Sequence, residues 1–534
     1  MLPLILICLG TAGGCLLAAR GLIHFFQLES YQFPGYFRTL RRNLPKAVLP
    51  GLCMTLLGIA CLCALNNIIF IPWLTAAIYC AIVVSGGYAA GKFFSAKKAK
   101  KALVFTPRIK RLYAVSFIVM FLILFGMAQL AGSGGVPNKF PAMLVLLFPV
   151  LLPLWIALCG LIAWPIEKGI SEMYFRDAQR ILRERKDLIR IGITGSWGKT
   201  SVKFILGTML EEKYHTLVTP ASYNTPMGVT KIIRSRLEPG HRVFVSEMGA
   251  RHVGDIKEMC RLVHPEYGIL TSVGPQHLDT FKTVDRVKAT KYELIEALPQ
   301  EGCAFFADDN GICVELYEKT EKEKKLAGMN PQQDDVWAEE IRVSGEGSNF
   351  LLCTKDMRIP CSTAMLGELN IRNIVLCAAV CLKLGLSGEQ IARGIGKLQP
   401  VEHRLQLIAN PGGMTVIDDA FNSNILGARQ AFQVLGSMQG TRILVTPGMV
   451  ELGDREEELN REFGKSAAGC CDIAILIGKK RSTAIAAGLK DAGFDPANIL
   501  VAASLDEATG MLRNLAKAGD TVLFENDLPD NYTE

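Results

Sequence analysis

Acidic side chains are almost missing from the first third of this 534-residue chain. Up to Trp164 there is one acid, Glu29, against fourteen Lys and Arg, while the remainder holds 44 bases and 50 acids. The net charge of +7 is therefore the sum of a strongly basic part and a mildly acidic one, not a nucleic-acid signature. Cysteine pairs at metal spacing are missing too. Of sixteen cysteines, seven lie in apolar N-terminal stretches, and neither Cys377 with Cys381 nor Cys470 beside Cys471 makes a CxxC pair, which argues against a zinc ribbon. No basic residue precedes the first apolar run and no small-residue cleavage pattern follows it, which argues against a cleaved signal peptide. Ionisable groups are nearly absent from the apolar runs, where only Arg20 and His24 come close, both within snorkelling reach of an end. That disfavours a solute or ion pathway. There is no internal repeat and no long low-complexity segment.

What is present, first, is hydrophobic length. Half the chain is hydrophobic, and five stretches suit membrane helices: about Leu2 to Phe26, Val48 to Leu65, Ile68 to Ala90, Leu112 to Ala131 and Pro141 to Trp164. Arg38, Arg41, Arg42 and Lys46 follow the first, and Lys92, Lys97, Lys98, Lys100, Lys101, Arg108, Lys110 and Arg111 follow the third, so both loops are expected in the cytoplasm. The opposite connections, Asn66 to Asn67 and Gly132 to Phe140, carry only Lys139. The expectation is a multi-pass cell-membrane protein with its N-terminus outside and its C-terminal half in the cytoplasm, where disulfides are not expected.

Pro165 to Arg190 is charged, with Ile166, Ile170, Met173, Ile181, Leu182 and Leu188 at roughly helical spacing, and reads as a helical connector (165–190) after a membrane domain (1–164). From Leu188 short apolar runs alternate with helical stretches, the pattern of an α/β fold with a mainly parallel sheet. Ile189 to Ile193, Val243 to Ser246 and Tyr267 to Thr271 are strands of one domain (191–400). Thr415 to Ile417, Arg442 to Val445, Ile473 to Ile477, Ile499 to Val501 and Thr521 to Phe524 are strands of another (401–534), with the boundary near Pro400. The charged patch Glu318 to Lys325 reads as a solvated surface turn.

Gly192-Ile-Thr-Gly-Ser-Trp-Gly-Lys-Thr-Ser201 stands between a strand and a helix. Glycines there let backbone N–H groups turn toward phosphate oxygens, the helix N-terminus adds positive potential, Lys199 reaches the outer phosphates and Thr200 can hold magnesium. The strict phosphate-loop pattern would place glycine at position 193, where this chain has Ile193.

With that departure the loop resembles that of the Mur ligase family and its folylpolyglutamate relatives. Glu247-Met-Gly249 resembles the family's Glu-x-Gly motif. His277, in Gly274-Pro-Gln-His-Leu-Asp279, and Lys291, in Lys288-Ala-Thr-Lys-Tyr-Glu293, stand where the family has a metal-associated histidine and, in the branch that adds D-alanyl-D-alanine, a carbamylated lysine. Phe305-Phe-Ala-Asp-Asp-Asn310, Gly367-Glu-Leu-Asn-Ile-Arg-Asn373, Arg404, Ile417-Asp-Asp-Ala-Phe-Asn-Ser-Asn424 and Gly448-Met-Val-Glu-Leu-Gly453 continue the match in order, from about Leu188 to Phe524. Singly, each residue has a plain explanation: a surface histidine, a solvated lysine, an aspartate capping a turn. The ordered set carries the resemblance.

The resemblance implies a phosphate-loop central domain, a Rossmann-like C-terminal domain, and an ATP-dependent carbon–nitrogen ligase using Mg2+. It implies Lys199, Lys291, His277 and Arg404 in catalysis. It implies Gly195, Ser196, Gly198, Lys199, Thr200, Ser201, Asn370, Arg404 and Asp419 on the nucleotide, with Asn370 at adenine and Asp419 at ribose. Thr200, Glu247, His277 and Lys291 would serve metal, and Asn224, Thr225, Asn422, Asn424 and Glu451 substrate. Leu369, Asn460 and the ending Leu523-Phe-Glu-Asn-Asp527 depart from the family's histidine, histidine and Lys-Gly-Ser, the last two on the amine side. Where the family begins with a domain gripping uridine diphosphate, this chain has apolar helices. The partners implied are the membrane, an envelope (peptidoglycan) precursor, lipid-linked if the membrane delivers it, and an amino acid or dipeptide, without nucleic acid. A poly-γ-glutamate-type polymerising ligase and a non-catalytic ATP-binding scaffold stay open.

A reporter fused after Trp164 is expected to be cytoplasmic, and one within Gly132 to Phe140 to face outward. Opposite labelling would remove the basis for an intracellular ATP site.

Overall fold

The apolar runs form helices because, away from water, backbone N–H and C=O groups are satisfied only within a helix or a closed barrel. The computed structural model describes residues 2–68, 71–94, 102–132, 147–221, 223–309, 311–344, 347–401, 403–409, 413–420, 425–450, 452 and 455–526. The Gly132 to Phe140 connection lies outside them apart from its first residue. Described residues up to Glu172 form one compact unit and those from Met173 onward a second.

Among the described residues four helices are long and apolar enough to cross a bilayer: Leu44–Leu65, Pro72–Phe93, Pro107–Leu130 and Phe148–Glu184. A fifth crossing results if Leu2–Ala18 and Arg20–Leu28, bent by 47°, count as one, so the expected first stretch, about Leu2 to Phe26, is two helices with a bend between them. Leu2–Ala18 and Pro72–Phe93 approach so closely that a Cβ on Gly14 would lie 2.5 Å from the Val83 carbonyl oxygen. Small residues allow such approach where no hydrophobic force drives apolar helices together. At the polar end Arg111 donates Nε and Nη2 to Glu167 at 2.5 and 2.8 Å. This two-pronged pair ties the Pro107–Gly132 helix to the last one.

In the second unit the end of the Leu152–Glu184 helix is no free connector. Phe175, Ala178 and Leu182 are buried in a core with Phe244, Met259 and Leu262, and Gln179 donates to the Arg261 carbonyl at 2.7 Å. The stripe expected from spacing is only partly right. Ile166 and Met173 are 56% and 57% exposed, and the residues buried in this core are Phe175, Ala178 and Leu182.

Among the described residues fifteen strands follow: β1 (Ile189–Thr194), β2 (Thr216–Val218), β3 (Val243–Glu247), β4 (Tyr267–Leu270), β5 (Cys303–Ala307), β6 (Glu323–Gly328), β7 (Val336–Ser344), β8 (Gly347–Cys353), β9 (Arg358–Thr363), β10 (Gln406–Ala409), β11 (Thr415–Asp419), β12 (Arg442–Thr446), β13 (Ile473–Ile477), β14 (Ile499–Ala502) and β15 (Thr521–Glu525). The first sheet has the order β2-β3-β1-β4-β5-β6-β7-β8-β9, parallel up to β7 and antiparallel beyond. Separate cores cover its two faces, which explains why its strands read as continuous apolar runs. The second sheet has the order β10-β11-β15-β12-β13-β14, parallel except for β10 at its edge. The chain thus has the expected class, apolar helices followed by two α/β sheets.

The patch Glu318 to Lys325 is not simply a surface turn. β6 begins inside it, and its lysines close helix ends. Lys322 donates to the carbonyls of Ile295, Glu296 and Leu298 at 3.0, 2.9 and 2.6 Å, and Lys324 to those of Tyr317 and Thr320, both at 2.8 Å. Helix C-termini leave carbonyls unsatisfied and carry negative potential, so cations settle there.

Candidate active site

β1 runs into Gly195-Ser-Trp-Gly198 and the Lys199–Leu210 helix. The loop is stitched to the exit of the neighbouring strand β4. Ser196 N–H donates to the Ser272 carbonyl at 2.9 Å, the Ser196 hydroxyl to the Gly274 carbonyl at 3.1 Å, and Trp197 N–H to Ser272 Oγ at 2.8 Å. Gly198 has φ +80°, which favours glycine, and directly precedes the helix. A Cβ on Gly195 would collide with Thr271 Oγ1, so the backbone itself forms the cradle wall. Lys199 Nζ donates to the carbonyls of Gly195 and Ser196 at 2.6 and 3.0 Å. Burial lowers its pKa to about 8, against the charge of Glu247.

β3 pairs with β1 in the register Ile193 opposite Glu247, which brings Glu247 to the carboxyl end of the sheet beside this loop. Its side chain is 1% exposed and receives three donors. Thr200 Oγ1 and Lys203 Nζ each reach Oε2 at 3.0 Å, and Asn224 Nδ2 reaches Oε1 at 3.0 Å. Burial pushes the carboxyl up, but Lys203 and Lys199 outweigh it and hold the group below its usual range. Lys203, itself fully buried, was not among the residues singled out by motif. The signal was there: Lys203 stands three residues after Thr200 on one helix face, among the buried Val202, Ile205 and Leu206. The spacing of Thr200 hydroxyl and Glu247 carboxylate, beside a phosphate cradle, suits a divalent cation with oxygen ligands.

Lys291 lies on the Val284–Glu296 helix, capped by Thr283. It is 1% exposed, which rules out the solvated-lysine reading. Burial first, then the charge of Lys199, lowers its pKa well below the usual lysine value, with Asp255, Glu247 and Glu293 opposing. His277 begins the short Leu278–Phe281 helix with φ +52°. Among the described residues no three His, Cys, Asp or Glu gather at metal-binding distance, so the structure unites Thr200 with Glu247 and does not draw His277 into such a cluster.

The second sheet supplies the opposite wall. Trp197, Ser201, Asn370, Arg404, Asp419 and Glu525 line one cavity, and Leu369 lines it too. Arg404 is lowered by burial, against the charges of Asp419, Glu247 and Glu525. Asn370 donates to the Leu366 carbonyl at 2.8 Å. Thr225 caps the Pro226–Arg236 helix by accepting from Gly228 N–H, so its first role is structural. Asn422, Asn424 and Glu451 lie outside the described residues. Asn460, a departure placed on the amine side, is 1% exposed and exchanges hydrogen bonds with the Met449 backbone at 2.8 and 2.9 Å; it pins the Gly448 loop.

Residues 193–381 match the Mur ligase middle domain and residues 403–525 the Mur ligase glutamate ligase domain. The chain belongs to the Mur ligase family and is an acid–amino-acid ligase by class. The UDP-N-acetylmuramoyl-tripeptide–D-alanyl-D-alanine ligase of Escherichia coli K12 is 29% identical over 330 residues, 60% of this chain and 73% of that protein. That of Bacillus subtilis 168 is 28% identical over 276 residues, 51% of this chain and 59% of that protein. Among solved structures, MurF from Acinetobacter baumannii is 25% identical with TM-score 0.62, covering 68% of this chain and 78% of that one. MurF ligase from Thermotoga maritima in complex with ADP, 23% identical with TM-score 0.60 and covering 67% and 80%, shares the fold.

Removing Lys203 should leave a buried charge unpaired. Lys203→Ala is expected to cost roughly 3–5 kcal/mol of stability, whereas Lys203→Met with Glu247→Leu should recover most of it. Unfolding of the full chain in detergent measures both, and an unaltered Lys203→Ala midpoint would contradict the pairing.

Proposed function

We propose that this chain is a membrane-embedded, ATP-dependent ligase that joins an amino acid or dipeptide to a carboxylate of a peptidoglycan precursor, with the precursor presented by the membrane. The observation that carries the reading is one cavity lined by Gly198 and Ser201 of the phosphate loop and its helix together with Arg404 and Asp419, with the Thr200–Glu247 pair made by the residue before Ser201 on that helix. The relatives' names support a muramoyl peptide as acceptor and D-alanyl-D-alanine as amine, and the ADP complex of the Thermotoga neighbour supports a nucleotide in the crevice. Delivery by the membrane is supported by the stretch directly before β1, which consists of apolar helices where the family carries a uridine-diphosphate domain.

An amide forms from a carboxylate only after activation. The γ-phosphoryl group of ATP passes to the acceptor oxygen, giving an acyl phosphate, and the amine then displaces phosphate. Bound magnesium would be held by Thr200 and Glu247 and would neutralise charge on the phosphates. Lys199 and the N-terminus of the Lys199–Leu210 helix hold the phosphates from one side, and Arg404, just before the second sheet, holds them from the other. Lys291 is buried with a weakened hold on its proton. Its neutral amine can attack carbon dioxide, forming an N–C bond and losing a proton, and the resulting carbamate supplies an anion facing the acceptor side, with His277 nearby in the chain order of the family. The C-terminal sheet contributes Arg404 and Asp419 only when it closes on the first sheet.

Lys199→Ala is expected to lose turnover without unfolding the apolar helices. Lys291→Ala is expected to be nearly inactive and partly restored by acetate or formate, which occupy the vacated anionic position and do nothing for Lys199→Ala. Amide formation and phosphate release across a carboxylate titration measure this, and an unimpaired Lys291→Ala would end the carbamate role. Deleting the gene and weighing accumulated nucleotide-linked and lipid-linked precursors would show which carboxylate goes unmodified. Accumulation of neither class would count against an envelope substrate.

A further inference from the structure

The buried ammonium of Lys203 sits on the same carboxylate as the hydroxyl assigned to magnesium. Thr200 and Lys203 stand one turn apart on the Lys199–Leu210 helix and share its inner face. Glu247 Oε2 accepts from Thr200 Oγ1 and from Lys203 Nζ, each at 3.0 Å, while Oε1 accepts from Asn224 Nδ2 at 3.0 Å. Lys203 Nζ also donates to the Ala221 carbonyl at 2.5 Å. The two charged side chains are 0% and 1% exposed. Hydrogen bonds thus pin the ammonium in place, and a pair sealed from solvent is little screened by salt.

A threonine hydroxyl has one proton and two acceptor lone pairs. Thr200 gives its proton to Glu247, which leaves its lone pairs for a cation. The charges at the site oppose that cation. Glu247 and Lys203 sum to zero, and Lys199, the residue before Thr200, is a further cation. A bare divalent ion arriving at Thr200 and Glu247 therefore meets no net negative charge. The phosphates of a nucleotide bring the charge that the protein does not.

We propose that Lys203 is a positioning residue that makes metal binding at Thr200 and Glu247 conditional on nucleotide. Its fixed charge keeps a bare divalent cation out, and a cation accompanied by phosphate settles there. The assignment rests on the magnesium reading of the Thr200–Glu247 pair. A neutral side chain at position 203 would leave Glu247 with its full negative charge and turn the same oxygens into a standing metal site.

The test uses Mn2+, which has the charge of Mg2+ and an electron paramagnetic resonance signal that is lost on binding. The full chain is titrated in nanodiscs of zwitterionic lipid, with and without saturating ADP. Binding that survives Glu247→Gln on the same background is subtracted. Wild type should hold Mn2+ at the Glu247-dependent site at least about tenfold more weakly without ADP than with it. Lys203→Gln, which can still donate to Oε2 but carries no charge, should bind Mn2+ without ADP about tenfold or more tightly than wild type. Lys203→Arg keeps the charge and should retain the dependence on ADP, which a role in packing alone would not predict. Equal wild-type affinity with and without ADP would overturn the proposal, and that measurement needs no variant of Lys203 to fold. Identical behaviour of Lys203→Gln and Lys203→Arg would overturn it as well. Failure of wild type to hold any Glu247-dependent Mn2+ even with ADP would overturn the magnesium reading itself, a separate result.

Discussion

A buried carboxylate organises the catalytic half of this protein. Glu247 is nearly sealed from solvent, and a charge in such a place persists only if donors surround it. Its donors come from separate segments: Thr200 and Lys203 from the helix after the phosphate loop, and Asn224 from the stretch before the Pro226–Arg236 helix. The strand pairing of Ile193 with Glu247 sets the carboxylate at the loop. Loop, helix and strand are therefore mutually dependent, and the same contacts that satisfy the charge leave a hydroxyl and a carboxylate oxygen together beside the phosphate cradle.

Neither sheet makes the site alone. The first contributes the cradle and Glu247, the second Arg404, Asp419 and Glu525. The segment joining them carries backbone conformations that side chains rarely adopt, with φ +60° at His403 and +45° at Leu405 on either side of Arg404. Such conformations persist where the surroundings over-determine them. Here His403 Nδ1 lies 2.7 Å from Asp418 Oδ2, and Leu405 N–H is held by Asp419. The strand that ends in Asp419 thus also shapes the turn that presents Arg404.

Much of this was legible along the chain. Apolar length marked the long apolar helices, continuous β-branched runs marked β1, β3, β4 and the strands of the second sheet, and the Gly195–Thr200 loop announced its own strand–loop–helix context. The antiparallel strands β7 to β9 were not marked, since their alternation is interrupted by charges and a register shift between Glu339 and Arg342. Lys322 and Lys324 looked like solvent-facing charge because what makes them caps is the position of two helix ends distant in sequence. Asn460 stands where the resemblance places a histidine on the amine side, and no sequence signal foretold that the fold turns it onto the Met449 backbone.

The sequence by itself determined the chemistry available: a cradle for phosphate, cations to meet developing negative charge, and apolar segments too long and too poor in charge for a soluble core. These are local properties of residue type and spacing, and the order of the motifs alone carried the resemblance to a family. Tertiary structure decided which charges meet. That Lys203 faces Glu247, that Lys291 is shut from water, and that Glu525 stands beside Asp419 each follows from burial and strand register. Residues distant in sequence, 44 positions apart for Lys203 and Glu247, become neighbours there, through packing that no short window of sequence contains.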